Sequence, residues 1–471
     1  MFVIPKTFAI TDISHTFNGT SAIILSNQRS YGTKYRTFKK RLTLIDDTTI
    51  KANSHELKNF IVHISPQYKS GCVNWAVTST NVNITISVAQ TAKRLNGWCI
   101  VIVADKDGPQ TYVMSENKAH VFYLTVHLQY ELSKRSKFVA SLPWNHFGRK
   151  NVGYLWAIVQ GAEAIWDFDD DHELIIDQLT VPVNDTDALM LPNLKGSLLN
   201  PYSILEDNEY PKYPRGFPGQ LMKNSTLSAR NEVVLSGVWP AKWIGMGVTV
   251  LRSNEGTFPS DSHHLGSYCA HKVQCLASND SDVYSSYRLP RPSNSQLKYL
   301  QKDRKLIVPR GTFSPYNTHA TLHLRSALWT LLLPIGVDPH VSDIWRSYAM
   351  QRLMWDSGLQ VSFAGSYVTR RRNTHSLSQD MNAKHDLDLQ TEKLIEFLSD
   401  WSASSDSLVK RVEELYIALY ERGFLESVDV ELVQLWLFEL IQNGYVFPMI
   451  SAKFTLAVRT YAGHIQRMNS R

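Results

Sequence analysis

The sequence predicts an α/β fold: a mixed sheet built on βαβ units and flanked by helices, with a small α-helical region at the C-terminus. Three observations carry this. Strand-like, helix-like and again strand-like patterns follow one another between Trp75 and Ala104, the order that produces a parallel pair. A second helical pattern runs almost without linker into a short apolar segment, Ala164 to Phe168, which ends in Asp169-Asp170-Asp171. Beyond Asp386, apolar residues recur only at helical spacing.

Taken in order, residues 1–70 are polar, carry a basic run at Lys34 to Arg41, and read as a poorly packed lead-in with a strand or two. The main domain spans 71–385. Trp75 to Thr78 reads as a buried strand, and Ile84 to Leu95 as a helix with Ile84, Val88, Thr91, Ala92 and Leu95 on one side. Gly97 then opens the β-branched run Trp98 to Ala104, which stops at Asp105. Asp105 there either meets a ribose or base, or caps the next turn. No GxGxxG follows the first strand and no GxxxxGK[ST] occurs, which excludes the dinucleotide fingerprint and the P-loop. Val121 to Leu132 gives a strand or a short helix.

Gly148 to Ala162 reads as an amphipathic helix, with Val152, Leu155, Trp156 and Val159 at helical spacing and Gly161 at its end. Arg149, Lys150 and Asn151 open it, where such groups either meet a nucleotide or form a polar first turn. Pro182 to Pro218 is rich in Pro, Asn and Gly and reads as a long loop. Arg215 within it either holds an anion or makes a structural ion pair. The last region, 386–471, carries three amphipathic stretches, Leu389 to Trp401, Ser407 to Arg422 and Val430 to Asn443, the last two followed by Gly423 and Gly444.

The whole-chain numbers narrow the classes. At 471 residues the chain exceeds one ordinary core. Its 43% hydrophobic and 11% aromatic content is that of a globular protein. A net charge of +6 at this length gives no ground for a nucleic-acid partner. Cys72, Cys99, Cys269 and Cys275 form no CxxC pair; Cys269 and Cys275 are near enough to bridge, though nothing requires it, and the redox compartment stays open. No run of apolar residues is long enough for a transmembrane helix, and the start shows no ordinary signal peptide.

The acidic triplet is where chemistry concentrates. Carboxylates at the carboxyl end of a buried strand lie where open α/β sheets place ligands. Two of them a few Å apart repel by on the order of a few kcal/mol, so one protonates or a cation neutralises them. If the chain stays extended, Asp167, Asp169 and Asp171 share one side and Asp170 faces the other. Oxygen ligands of this kind suit Mg²⁺ or Mn²⁺, which keep positions open for water and phosphate; the plain alternative is a solvated acidic turn.

A helix opened by Arg and Asn, a Gly-Ala turn, a hydrophobic strand and an Asp-x-Asp resemble the nucleotide-sugar-binding half of a GT-A glycosyltransferase. More closely, the chain resembles the STELLO family of glycosyltransferases through GWCIVIVA (97–104), RKNVGYLWAIVQGAEAIWDFDDD (149–171), NPY (200–202), YPRGFP (213–218), FSPYNTHATLHLRSALWTLLLPIGV (313–337), SDIWRSYAMQRLMWDSG (342–358) and RRNTHSLSQD (371–380). The resemblance implies a GT-A-like, Rossmann-like mixed sheet. It implies a nucleotide-sugar donor (a UDP-sugar), and a glycan or protein acceptor walled by the 182–218 loop. Asp169 and Asp171, the Asp-x-Asp pair, would hold Mn²⁺ or Mg²⁺ against the diphosphate, with Asp170 beside them. His375 resembles the later His that completes this metal site, the alternative being a structural His, and Arg370, Arg371 and Arg372 beside it would meet phosphate. The family's plant members sit in the Golgi, where they are associated with cellulose-synthase assembly, so a polysaccharide-synthase complex is an implied partner. They are anchored there by an N-terminal helix that this chain is expected to lack.

Two departures from the family pattern bear on activity. Residues 231–268 look like an insertion. Where the family typically reads Asp-Val-Asp-Ala, this chain keeps Asp282 but carries Tyr284 at the second acidic position. An inverting transferase needs a carboxylate base and a cation for the departing diphosphate. Asp343 and Arg346, at i and i+3, fit those roles, or form an intrahelical ion pair. The expected function is a metal-dependent glycosyltransferase. The rivals are an inactive fold-retaining scaffold and a hydrolase using paired carboxylates.

Overall fold

The computed structural model describes residues 38, 56–64, 71–112, 119–181, 186–190, 198–202, 213–219, 238–244, 248–251, 269–277, 305–370 and 390–450. Asp282, Tyr284, Arg371 and His375 lie outside them.

Among the described residues one mixed sheet runs through the molecule. Its first arm orders β3 (His120–Leu124), β2 (Cys99–Ala104), β1 (Asn74–Thr80) and β4 (Ala164–Phe168) side by side, all parallel. CIVIVA of β2 and AIWDF of β4 are buried along their whole length, as strands covered on both faces must be. The second arm turns mixed. β11 (Ala320–Leu324) runs antiparallel to β4, and β9 (Cys269–Ala277) antiparallel to β11. Then come β12 (Leu359–Arg370), β10 (Lys305–Ile307), β6 (Thr186–Met190), β7 (Val238–Ile244) and β8 (Val248–Leu251), with the short β5 (His172–Leu174) pairing β12 off the main path. The mixed sheet flanked by helices is the expected fold.

The alternation of β1 divides the core. Trp75 and Val77 belong to one cluster with Val101, Val103 and most helices; Ala76, Ile100, Ile102 and Trp166 belong to the other, under α2 (Ile86–Arg94). Thr85 caps α2 by accepting from the Val88 amide at 3.1 Å. Val88, Thr91, Ala92 and Leu95 are buried as expected, but Ile84 precedes the cap and is 38% exposed. Val121 to Leu132 holds both alternatives: β3, then α3 (Val126–Ser133), with the short α4 (Lys137–Ser141) after it.

A 3-10 turn, Phe147–Lys150, leads into α5 (Asn151–Val159), in which every residue is buried. It is not amphipathic, because the sheet covers one side and the C-terminal helices the other. Gly153 lets it lie flat: a Cβ there would come within 2.6 Å of Val77 and 2.8 Å of Val103. Gly161, at φ +87°, reverses the chain into β4.

On that face lie α6 (Pro339–Asp356), residues 390–400 (α7), α8 (Leu408–Glu421) and α9 (Ser427–Gln442), the last three close to the expected C-terminal helices. They share one core with α5 and the sheet. Buried Arg411 ties α8 to Asp356 of α6 at 2.7 Å. Asp429 accepts from the Ile335 and Gly336 amides at 2.7 and 2.9 Å.

Two expectations change, and a disulfide is added. The 182–218 stretch is not all loop, since β6 lies within it, and β7 and β8 form the sheet's far edge inside the expected insertion. The described part of the lead-in holds a helix, α1 (Glu56–Ile64), with Leu57 and Ile61 buried, where strands were expected. Cys72 bridges Cys99, with Cα atoms 6.0 Å apart. Register places Cys99 opposite Trp75, so Cys72, three residues earlier, falls within reach. No described helix is long and apolar enough to cross a membrane.

Candidate metal centre

The site sits at the carboxyl end of β4, beside β1, where neighbouring connections leave the sheet in opposite directions; open α/β sheets bind ligands at such a point. The strand does not stay extended through the triplet. It stops at Phe168, and the Asp169 carbonyl accepts from the His172 amide at 3.0 Å, closing a turn. Asp167 therefore points into the core, while Asp169, Asp170 and Asp171 stand half-buried at the rim.

Built-in cations answer the repulsion. Lys150 Nζ lies 2.7 Å from Asp167 and 2.9 Å from Asp169. It also donates to the Phe168 carbonyl at 2.8 Å. Arg346 Nη2 reaches the other Asp167 oxygen at 3.5 Å. Burial lowers the Lys150 pKa, but Asp167 and Asp169 outweigh it and the net shift is upward. For Asp167 burial prevails over Lys150 and Arg346 and raises the carboxyl pKa.

Asp169 is also 3.4 Å from His319 Nε2. Burial pushes its pKa up, but Lys150, His319 and His172 bring it below the usual carboxylate value. Asp171 lies 2.6 Å from His172 Nδ1 and accepts from Arg370 Nε at 2.8 Å; against burial, these partners hold it well below the usual range. Asp170 accepts from the Thr80 hydroxyl at 2.7 Å, at the end of β1, and its carboxyl is shifted up, chiefly by burial. Burial lowers the His172 pKa against the pull of Asp171, which favours the neutral imidazole that a metal ligand requires. Ligating atoms of Asp169, Asp171 and His172 lie within 4.8 Å of one another. Two carboxylates and an imidazole are a donor set that fits a divalent ion.

The other expected site residues fall elsewhere. Arg149 is buried, donates to Gln129 at 2.7 Å and to the Leu142 carbonyl at 3.0 Å, and stacks on Trp144; burial pulls it down to about 10. Asn151 exchanges two hydrogen bonds of 2.9 Å with the Leu333 backbone. Asp105 accepts from the Asn145 amide at 2.7 Å and the Lys106 amide at 2.8 Å, so it caps a turn. Of the helix opening, only Lys150 reaches the acidic turn, from beneath.

Asp343 is buried and pairs with Arg215 Nη2 at 2.5 Å, not with Arg346. Arg346 is buried under the sheet and donates to the Leu331 carbonyl at 2.8 Å. Arg215 is thus an ion-pair partner that also donates to the His340 carbonyl at 2.9 Å. Sequence reasoning missed His172 and Thr80 as lining of the turn, which His319 and Arg370 also line. The signal for His172 was at hand, as it directly follows the triplet; the others come from separate strands and their flanks.

Comparison with known proteins agrees on one family. A model described as STELLO glycosyltransferases matches residues 340–463. The chain is 26% identical over 414 residues to the probable glycosyltransferase STELLO2 of Arabidopsis thaliana, covering 86% of this chain and 49% of that protein. It is 26% identical over 408 residues to STELLO1 of the same plant, with the same coverage. The chain thus spans about half the length of these curated relatives. A structure of glucosyl-3-phosphoglycerate synthase from Mycobacterium tuberculosis aligns over 79% of this chain and 90% of its own, at 10% identity and a TM-score of 0.26. On the sequence matches, the chain is similar to the STELLO glycosyltransferases.

Proposed function

We propose that the chain is a metal-dependent glycosyltransferase of GT-A-like fold that moves a sugar from a nucleotide-sugar donor, a UDP-sugar, to a glycan or protein acceptor. One observation carries the reading: Asp169, Asp171 and His172 converge at the carboxyl end of a parallel strand, at the sheet's switch point. Asp169 and Asp171 would hold Mn²⁺ or Mg²⁺, which when bound supplies Lewis-acid stabilisation of a departing diphosphate. Lys150 orients Asp169, and Thr80 orients Asp170 on the donor side. Asp343 is the proposed base, with Arg215 as the group it must exchange for an acceptor hydroxyl. The Cys72–Cys99 disulfide supports folding in an oxidising compartment such as the secretory pathway.

Thermal shift with Mn²⁺ and a panel of nucleotide sugars tests this. Metal-dependent stabilisation by a UDP-sugar is expected, and the double change Asp169→Asn/Asp171→Asn should abolish it; retained stabilisation in that variant would exclude the metal role. A second reading, a catalytically weak or inactive partner in a polysaccharide-synthase complex, is favoured by Tyr284 at the second acidic position and by the closed Asp343–Arg215 pair. Binding without turnover for every donor would support it.

A further inference from the structure

We propose that Asn83 carries an N-linked glycan, anchored on the turn after β1 beside the acidic triplet. The inference goes beyond the transferase reading. It needs neither a metal nor turnover, and rests only on the oxidising compartment that the disulfide supports.

Asn83-Ile84-Thr85 is an Asn-x-Thr acceptor sequence. Four more such sequences, at Asn18, Asn184, Asn224 and Asn279, lie outside the described residues. Asn83 is exposed and sits on the turn between β1 and α2, as an acceptor must. Cys72, just ahead of β1, is in the bridge to Cys99. Disulfides persist in the lumen of the secretory pathway, which is also where asparagine acquires its sugars. Two covalent marks of one compartment therefore flank the same strand. The plain rival is a chance match of the triplet, with Asn83 a bare surface side chain.

The turn's geometry says where the glycan stands. The Thr80 hydroxyl donates to Asp170 Oδ2 at 2.7 Å, and the Thr85 hydroxyl donates to the Asp170 carbonyl at 2.5 Å. Both ends of the turn are thus tied to Asp170, and residues 81–84 between them are all exposed. Val82, Ile84 and Ile86, at 41, 38 and 61% exposure, put apolar side chains in water on either side of Asn83. A glycan at Asn83 covers this apolar stretch and borders the site on its Asp170 side.

Thr85 serves twice. Its hydroxyl completes the acceptor sequence, and in the folded chain it also accepts from the Val88 amide at 3.1 Å as the cap of α2. Engaged by both Asp170 and Val88, it is closed to a modifying enzyme, so the sugar is attached before the turn forms. In that step Asn83 Nδ2 forms a bond to C1 of an oligosaccharide carried on a polyprenyl pyrophosphate. The bond from C1 to the pyrophosphate oxygen breaks, the lipid pyrophosphate leaves with the electron pair, and the amide nitrogen gives up one proton.

Mass spectrometry of the full chain, purified from the cells that make it, tests this. Alkylation under denaturing conditions, then reduction and trypsin, release the peptide Ser70–Lys93, which holds both Asn83 and Cys72. Removal of glycans by a peptide N-glycosidase in H₂¹⁸O turns a glycosylated asparagine into ¹⁸O-labelled aspartate. The expected result is that label at Asn83, with Asn74 and Asn81 unchanged and Cys72 unalkylated before reduction. Asn83→Gln and Thr85→Ala should both lose the label, whereas Thr85→Ser, which keeps the hydroxyl, should retain it. The unmutated peptide decides the matter even if a variant fails to fold. An unmodified Asn83 beside a bridged Cys72 overturns the glycan alone. An unmodified Asn83 beside a Cys72 that alkylates before reduction overturns the compartment reading as well.

Discussion

The Lys150 ammonium lies 2.7 Å from the Asp167 carboxylate, with both side chains fully buried beneath the acidic turn. A buried charge stripped of its partner costs about 3–5 kcal/mol. Arg346 remains 3.5 Å from Asp167, so Lys150→Met should fall at the lower end. Urea unfolding should show a lower midpoint, and Lys150→Met/Asp167→Asn should lose less than the sum of the single changes. A Lys150→Met protein as stable as the parent would mean the pair does not hold β4.

Acid should weaken the same turn through Asp171. Its carboxyl is held below the usual value in the folded chain, against burial, by His172 and Arg370. A depressed folded pKa contributes stability that is fully present above the unfolded value of about 3.9 and is lost as pH falls below it. Asp167 and Asp170 are shifted the other way, so they favour the folded state as they protonate and partly offset the loss. Between pH 6 and pH 3, Asp171→Asn should therefore lose less stability than the parent, measured by unfolding midpoints at the two values. An equal loss would remove Asp171 from the account.

How much of this was legible follows from where each signal lies along the chain. β1, α2, β2 and β4 each carry their period within a dozen residues, and the structure places them close to where the pattern did. β6 was hidden because its partner β10 begins more than a hundred residues later and its surroundings read as turn chemistry. The site shows the same division. Asp169 and Asp171 announce themselves locally, whereas Lys150 reads as first-turn surface until α5 is laid across β1 and β2 through Gly153. His319 and Arg370 join only because β11 pairs β4, and β12 pairs β5.

Asp343→Asn separates a base from a structural acid. The carboxylate is buried, with Arg215 at 2.5 Å and the Thr318 amide at 3.3 Å. As a base, its loss should lower turnover about 10²–10⁴-fold while nucleotide-sugar stabilisation persists. As a structural ion pair only, Asp343→Asn and Arg215→Met should lower the melting temperature alike, with turnover reduced no further than the loss of folded protein explains.

The Cys72–Cys99 bridge closes a stretch with a sequence separation of 27 residues and fastens the chain just before β1 to the first residue of β2. Loop-closure entropy for that length gives stabilisation of about 3.5 kcal/mol. β1 and β2 form the centre of the parallel arm, and β1 ends at Thr80, which donates to Asp170 of the site, so loosening them should be felt there. Alkylation of the unfolded, unreduced protein should leave both cysteines unlabelled, and reduction should expose them. Cys72→Ser/Cys99→Ser should fold with a lower melting temperature and a weaker response to Mn²⁺ and nucleotide. Because Cys99 is fully buried in the sheet, Cys72→Ser alone is the gentler control, leaving a buried thiol that packs as a small hydrophobe. If that single change leaves the melting temperature untouched, the bridge is not what holds the first two strands together.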